Sequence, residues 1–155
     1  MIDQVQLRLM LSALIWGQYK NIVRKAVNTL LFNFRSWFFD LNYESFTRQS
    51  FDVAVKYFAD FVESHNLHYE FEFFDCDDFA LLFKALTSAK LNINAVGLAL
   101  GELYEDETLL GGHAWNVVLI DDELYYFEPQ TYELFDVEHA TTTDGFRYVL
   151  QAVVW

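Results

Sequence analysis

The chain has 155 residues, of which 54% are apolar, and it contains 16 Phe, 9 Tyr and 4 Trp against a single Pro. This composition excludes a disordered, collagen-like or low-complexity protein and predicts one domain with a dense aromatic core. The net charge of -13 argues against general binding to nucleic acid or to anionic membranes, because phosphate binding depends on clustered Lys and Arg.

The charge is unevenly distributed along the chain. Residues 1–50 carry six basic and three acidic side chains, whereas residues 51–155 carry four basic and 20 acidic ones. We therefore expect a single domain over 1–155, in which 1–50 form a helical N-terminal cap and 51–155 form the core that holds the chemistry.

Cysteine content and the N-terminus indicate the compartment. Cys76 is the single cysteine, so an intrachain disulfide framework is excluded and a reducing compartment fits best. The N-terminus has neither a basic region followed by a cleavage site nor an uninterrupted apolar run. We expect a cytoplasmic protein without a membrane span.

Apolar residues recur at helical spacing through the first 34 residues. This predicts one long helix, or two helices with a break near Gly17, buried on a face that includes Val5, Leu9, Leu30 and Phe34. After an aromatic loop, Thr47 or Ser50 is expected to cap a further helix that ends near residues 65–66.

The next helix begins at an acidic segment, and strands follow it. Residues 75–78 read Asp-Cys-Asp-Asp and precede a helical pattern that ends near Lys90. Alternating patterns then predict strands at 95–104, 115–120, 124–127, 133–137 and 146–155, with Asp121-Asp122 forming a tight hairpin turn. Helices followed by antiparallel strands indicate an α+β domain.

Three polar stretches interrupt the apolar pattern, at residues 74–80, 111–116 and 127–131. A thiol becomes nucleophilic when its thiolate is favoured, and a helix N-terminus together with an imidazolium supplies that stabilisation. Cys76 has the helix and His113 offers the imidazole, although the flanking aspartates act in the opposite direction.

The hairpin turn predicts which groups lie near His113. If the hairpin is centred on Asp121-Asp122, paired residue numbers sum to about 243, which places His113 opposite Gln130 or diagonally opposite Glu128. Either side chain could accept the second imidazole N–H and orient the ring, and Gln130 could instead donate a hydrogen bond toward the site.

A helix-borne Cys, a His in a His-Ala-Trp context and an acid followed by Pro resemble the papain-like and transglutaminase-like superfamily over residues 70–135. The closest variant in motif is the papain-like domain of fungal chimeric agglutinins. The resemblance implies a papain/transglutaminase-like α+β fold, in which the Cys-bearing helix packs on a C-terminal antiparallel sheet. It assigns catalytic roles to Cys76, His113, Glu128 and Gln130, and substrate contacts to Gly111, Gly112 and Trp115.

The same resemblance implies a cysteine-dependent amide hydrolase, a transglutaminase-like peptidase, or an acyl-transferase that acts on a peptide or protein through a thioester acyl-enzyme. The sequence demands no cofactor. A calcium effect is implied by the resemblance alone, and its oxygen ligands would come from Asp75, Asp77, Asp78, Glu128 and Gln130. Glu70 stands where papain-like enzymes often have a Gln that stabilises the oxyanion.

Two alternatives remain open. A peptidoglycan amidase would use the same residues. An acidic, non-catalytic interaction or inhibitor module would bind a basic protein partner, with salt-sensitive affinity that survives Cys76→Ala. No nucleic acid partner is expected in any of these cases.

Overall fold

A computed structural model describes residues 1–155. Its four helices all lie in the first 91 residues, and its main sheet is formed by the residues that follow. The helices are α1 (Gln4–Gly17), α2 (Ile22–Arg35), α3 (Arg48–Ser64) and α4 (Cys76–Leu91). Two short strands, β1 (Ile2–Asp3) and β2 (Asn42–Tyr43), pair with each other beside α1.

The main sheet has five antiparallel strands in the order β6-β5-β4-β3-β7. These strands are β3 (Val96–Glu105), β4 (Thr108–Ile120), β5 (Glu123–Glu128), β6 (Glu133–Asp136) and β7 (Phe146–Val154). The loop after β6 returns to β7, where the backbone N–H of Tyr148 donates to the Ala140 carbonyl. The two edges of the sheet therefore curl toward each other.

The predicted helix boundaries are confirmed, and side-chain caps explain them. Thr47 caps α3 and exchanges hydrogen bonds with Ser50, which satisfies backbone groups that the first helical turn leaves free. Gly17 ends α1, so the N-terminal segment forms two helices. At α4, Asp75 is the N-cap and Asn92 ends the helix in the left-handed conformation.

Helix α4 packs on β3 and β4 and is fixed there by a buried amide. The Asn116 side chain donates to the Ala80 carbonyl at 3.0 Å and to the Gly97 carbonyl at 3.3 Å. Around it, Phe51, Phe83 and Phe127 meet edge to face or tilted within one continuous hydrophobic core. This packing sets the position of the first turn of α4 against the middle of the sheet.

The predicted inner face of the N-terminal helices is wrong. The buried side chains of α1 are Leu7, Leu11 and Ile15, and Phe32 is the one fully buried side chain of α2. The positions expected inside instead face solvent, since Val5 and Leu9 are each 66% exposed and Phe34 is 78% exposed. No helix in the structure combines the length and apolar character that a membrane crossing requires.

Candidate ligand site at the N-terminus of α4

Three elements bring the sequence-predicted polar residues together. Cys76 is the first residue of α4, His113 lies in β4, and Glu128 ends β5. The β4–β5 register pairs Asn116 with Phe127, which is the pairing that a turn at Asp121-Asp122 predicts. The hairpin thereby carries His113 and Glu128 to the same edge of the helix.

The imidazole of His113 lies between a thiol and a carboxylate. Its Nε2 lies 2.7 Å from Glu128 Oε2, and Cys76 lines the same cleft as the ring. Burial lowers the pKa of His113, but the interactions with Cys76 and Glu128 outweigh burial and raise the pKa to about 9. The ring is therefore a cation at neutral pH.

The Glu128 carboxylate is buried and uses both of its oxygens. Oε2 accepts from His113 and from the Tyr148 hydroxyl at 3.0 Å, and Oε1 accepts from the Gln130 backbone N–H at 3.1 Å. Glu128 is only 3% exposed, so these donors take the place of water around its carboxylate. Sequence reasoning missed Tyr148, because only the packing of β7 against β3 brings it to Glu128.

The remaining predicted site residues are placed differently from what the sequence indicated. Gln130 reaches Glu128 through its backbone N–H, and its side chain makes no hydrogen bond to His113. Trp115 is fully buried, with its ring 6.1 Å from that of His113, so it supports the imidazole from the core. Gly112 lines the cleft described next, whereas Gly111 does not.

A cleft of about 500 Å³ opens over Cys76 and His113. Its lining includes residues that sequence reasoning did not select: Arg35, Tyr69, Phe71, Leu100 and Gln151. The alternating aromatic residues near position 70 gave a usable signal for part of this wall. Arg35 and Gln151 gave none, because only tertiary packing joins α2 and β7 to the cleft.

Two carboxyl groups flank the thiol. A hydrogen bond between Asp75 and Asp77 raises the pKa of Asp77 and lowers that of Asp75. Ligand atoms of Asp75, Cys76 and Asp77 lie within 4.8 Å of one another. Such a group is short of the six to eight oxygen ligands that calcium prefers.

Two of the other carboxylates expected to bind calcium are engaged within the protein. Glu128 is held by His113 and Tyr148, and Asp78 accepts from the Asp75 backbone N–H at 3.3 Å. The structure therefore does not assemble the ligand set that the resemblance implied. The calcium effect stays a prediction, and the arrangement of these residues does not suit calcium.

Comparison with known proteins defines the family. Residues 46–149 match the model of the ricin-type β-trefoil lectin C-terminal domain. This match covers most of the chain, and the chain therefore belongs to that family. No curated protein matches the chain significantly.

Two solved structures are similar to this chain. Polyporus squamosus lectin, bound to the human-type influenza-binding epitope Neu5Acα2-6Galβ1-4GlcNAc, is 17% identical with a TM-score of 0.66, over 99% of this chain and 49% of that one. The PSL1a–E64 complex is 22% identical with a TM-score of 0.59, over 78% of this chain and 43% of that one. This chain thus spans less than half the length of either, and the likeness shows the fold alone.

These comparisons correct the expected fold family. The α+β class and the link to an agglutinin are confirmed in general terms, but the papain/transglutaminase-like assignment is wrong, because the family match and both structural neighbours point to lectins. The physical reason is that a Cys-His-acid arrangement occurs on unrelated folds, so its presence does not identify the fold.

The comparisons also correct the expected function. They contradict a cysteine-dependent amide hydrolase, acyl-transferase or transglutaminase-like peptidase, together with the peptidoglycan amidase and inhibitor alternatives, because the family is that of a lectin C-terminal domain. No peptide or protein substrate is supported. The roles of the individual site residues stay predictions.

Proposed function

We propose that this chain is a carbohydrate-binding domain whose ligand site is the cleft at the N-terminus of α4. The observation that carries this proposal is the combination of exposed aromatic rings with polar side chains in one concave site. Phe71 and Tyr69 are 70% and 53% exposed, and both line the cleft beside Asp77. Its volume of about 500 Å³ lies in the range typical of small-ligand sites.

The chemistry of the lining suits a saccharide. A sugar ring presents C–H groups that pack on aromatic faces and hydroxyls that both donate and accept hydrogen bonds. Arg35 and Gln151 make no side-chain hydrogen bond within the protein, so their groups are free for hydroxyls or a carboxylate. Asp77 adds an exposed carboxyl group that accepts from hydroxyls.

The thiol, imidazole and carboxylate form the floor of this site. In this proposal the His113 imidazolium donates hydrogen bonds within the cleft, while Glu128 and Tyr148 fix the orientation of the ring. Cys76 lines the same cleft, so its thiol reports whether a ligand covers this floor. Alkylation of Cys76 by iodoacetamide that is slowed by bound saccharide would support that placement.

The test of carbohydrate binding uses the trisaccharide bound by the Polyporus squamosus lectin. Ligand-observed NMR with Neu5Acα2-6Galβ1-4GlcNAc and with Galβ1-4GlcNAc is expected to show contact with the wild-type protein. Phe71→Ala and Arg35→Ala should each weaken binding at least fivefold. Phe73→Ala is the matched control, since Phe73 is as exposed as Phe71 but does not line the cleft.

Two outcomes would contradict the proposal. One is the absence of binding to any member of a broad glycan panel by the folded protein. The other is binding that Phe71→Ala and Phe73→Ala weaken equally, which would place the saccharide elsewhere.

E64 provides an independent probe of the cleft, because PSL1a forms a complex with it. We expect E64 to bind wild type and to bind Cys76→Ala more weakly.

A further inference from the structure

Helices α1 and α2 form an antiparallel hairpin whose outer side is apolar. The linker between them is short, and the Asn33 side chain donates to the Ser12 hydroxyl across the helix pair at 3.2 Å. Phe32 alone of the α2 side chains is fully buried, and it faces the protein. The outer apolar face is defined by four exposed side chains of α2: Val23, Val27, Leu30 and Phe34.

The spacing on α2 makes this face continuous. Val23, Val27, Leu30 and Phe34 follow the i, i+4, i+7, i+11 pattern, so they lie along one side of the helix. Their exposed fractions run from 48% to 78%. An apolar stripe of this kind normally faces a core, and contiguous exposed apolar surface marks an interaction site.

The charge of the hairpin is opposite to that of the remaining protein. Residues 1–37 carry five basic side chains and one acidic side chain, whereas residues 38–155 carry five basic and 22 acidic ones. Arg24 and Lys20 are exposed beside the start of this stripe. Lys25 lies on the opposite side of α2, where its ammonium is 5.5 Å from the centre of the Trp16 ring. The apolar face is therefore flanked by Lys20 and Arg24 at one end.

We propose that the outer apolar face docks on the surface of an anionic lipid bilayer. Amphipathic helices with basic polar faces and Trp, Phe or Leu on the other side lie in the bilayer interface, where lipid charge attracts the cations. Trp37 and Phe39, directly after α2, are also exposed and suit the interfacial region. The acidic remainder is repelled by the same lipids, which orients the molecule with the hairpin toward the bilayer.

Charge also favours a bilayer over a second copy of the chain. A symmetric dimer through this face would place two basic hairpins against each other, and the resulting repulsion opposes the apolar contact. An anionic bilayer supplies complementary charge together with an apolar layer for Leu30 and Phe34.

The experiment measures sedimentation of the 155-residue protein with vesicles of phosphatidylcholine containing 30% phosphatidylserine, and with vesicles of phosphatidylcholine alone. Binding is expected with the anionic vesicles at 50 mM NaCl and should weaken at least tenfold at 500 mM NaCl. L30S/F34S should abolish it, and Lys20→Glu with Arg24→Glu should weaken it more than tenfold. L109S/L110S is the matched control, because those leucines of the β3–β4 hairpin are also about half exposed, at 51% and 50%.

Each contrary outcome overturns the proposal. Failure of the folded wild-type protein to sediment with either vesicle excludes bilayer docking. Equal loss of vesicle binding in L30S/F34S and L109S/L110S shows that the outer apolar face has no special role. Sedimentation velocity that reveals a dimer dispersed by L30S/F34S assigns the face to a second copy instead. Circular dichroism verifies that every variant is folded.

Discussion

The His113 imidazole is strongly perturbed at the candidate site. Its side chain is only 12% exposed, yet its pKa of about 9 keeps it protonated at neutral pH because Cys76 and Glu128 both favour the cation. Each partner therefore has a separable effect on the same ring. The protonation state of His113 reports directly whether the three side chains are assembled.

Titration of His113 should follow the loss of either partner. In wild type, NMR of the imidazole is expected to give a pKa near 9. Cys76→Ala and Glu128→Gln should each lower that pKa, since each removes an interaction that opposes the effect of burial. A His113 titration that is identical in wild type and both variants would disprove the arrangement.

The raised pKa of His113 also predicts how stability depends on pH. Below about pH 6.5 the ring is protonated in both folded and unfolded chains, so its contribution to folding is fully present. Between pH 6.5 and about 9 the unfolded chain loses the proton first, and the free energy of unfolding should fall by roughly 2–4 kcal/mol. Urea unfolding across this range measures the slope, and His113→Gln should largely remove it. An equal slope in that variant would assign the pH dependence to other groups.

At the level of elements, Gly101 determines how closely β7 approaches β3 beside the cleft. It lies at a register shift in β3, and a Cβ at this position would clash with the Val149 carbonyl oxygen and sit 2.8 Å from the Trp115 ring. Backbone atoms cannot move aside as a flexible side chain does. The strand pairing next to His113 therefore depends on the absence of a side chain at position 101.

Gly101→Ala should lower the free energy of unfolding by roughly 2–3 kcal/mol, because the added methyl group overpacks the sheet. Gly17→Ala is the matched substitution, since nothing lies within 4 Å of a Cβ there and the residue ends α1. That change should raise stability by up to about 1 kcal/mol through helix propensity. Urea denaturation of both variants distinguishes them, and effects of the same sign would contradict the packing argument.

The elements themselves were largely predictable from local chemistry. Thr47 and Asp75 are caps, and Asp121-Asp122 is a turn whose register brings Glu128 to His113. The inner face of α2 was not predictable, because periodicity shows that Val27 and Phe34 share a side but not whether that side meets a core or solvent. Tyr148 and Arg35 were missed for a related reason: no local pattern reports which distant strand or helix reaches the site.

At the scale of the whole molecule, charge is strongly polarised. The basic hairpin α1–α2 packs on β7, while the acidic residues belong to the chain beyond it. Apart from the buried pair of His113 with Glu128, the side-chain ion pairs are few and exposed: Arg48 with Asp52, Lys56 with Asp60, and His139 with Asp136. Most carboxylates thus lack a cationic neighbour, and mutual repulsion opposes the compact state.

Salt should therefore stabilise the folded protein. Added ions screen repulsion between exposed carboxylates, and the screening length falls from about 30 Å at 0.01 M to about 10 Å at 0.1 M ionic strength. Raising NaCl from 10 mM to 500 mM should increase Tm by about 2–4 °C, the shift that roughly 1 kcal/mol produces in a domain of this size. Glu105→Lys with Glu107→Lys, at the exposed tip of the β3–β4 hairpin, should raise Tm at low salt and reduce its salt dependence. Calorimetry at several salt concentrations measures both effects. A wild-type Tm that falls with added NaCl would mean that attractive ion pairs, rather than repulsion among the carboxylates, dominate the electrostatics of folding.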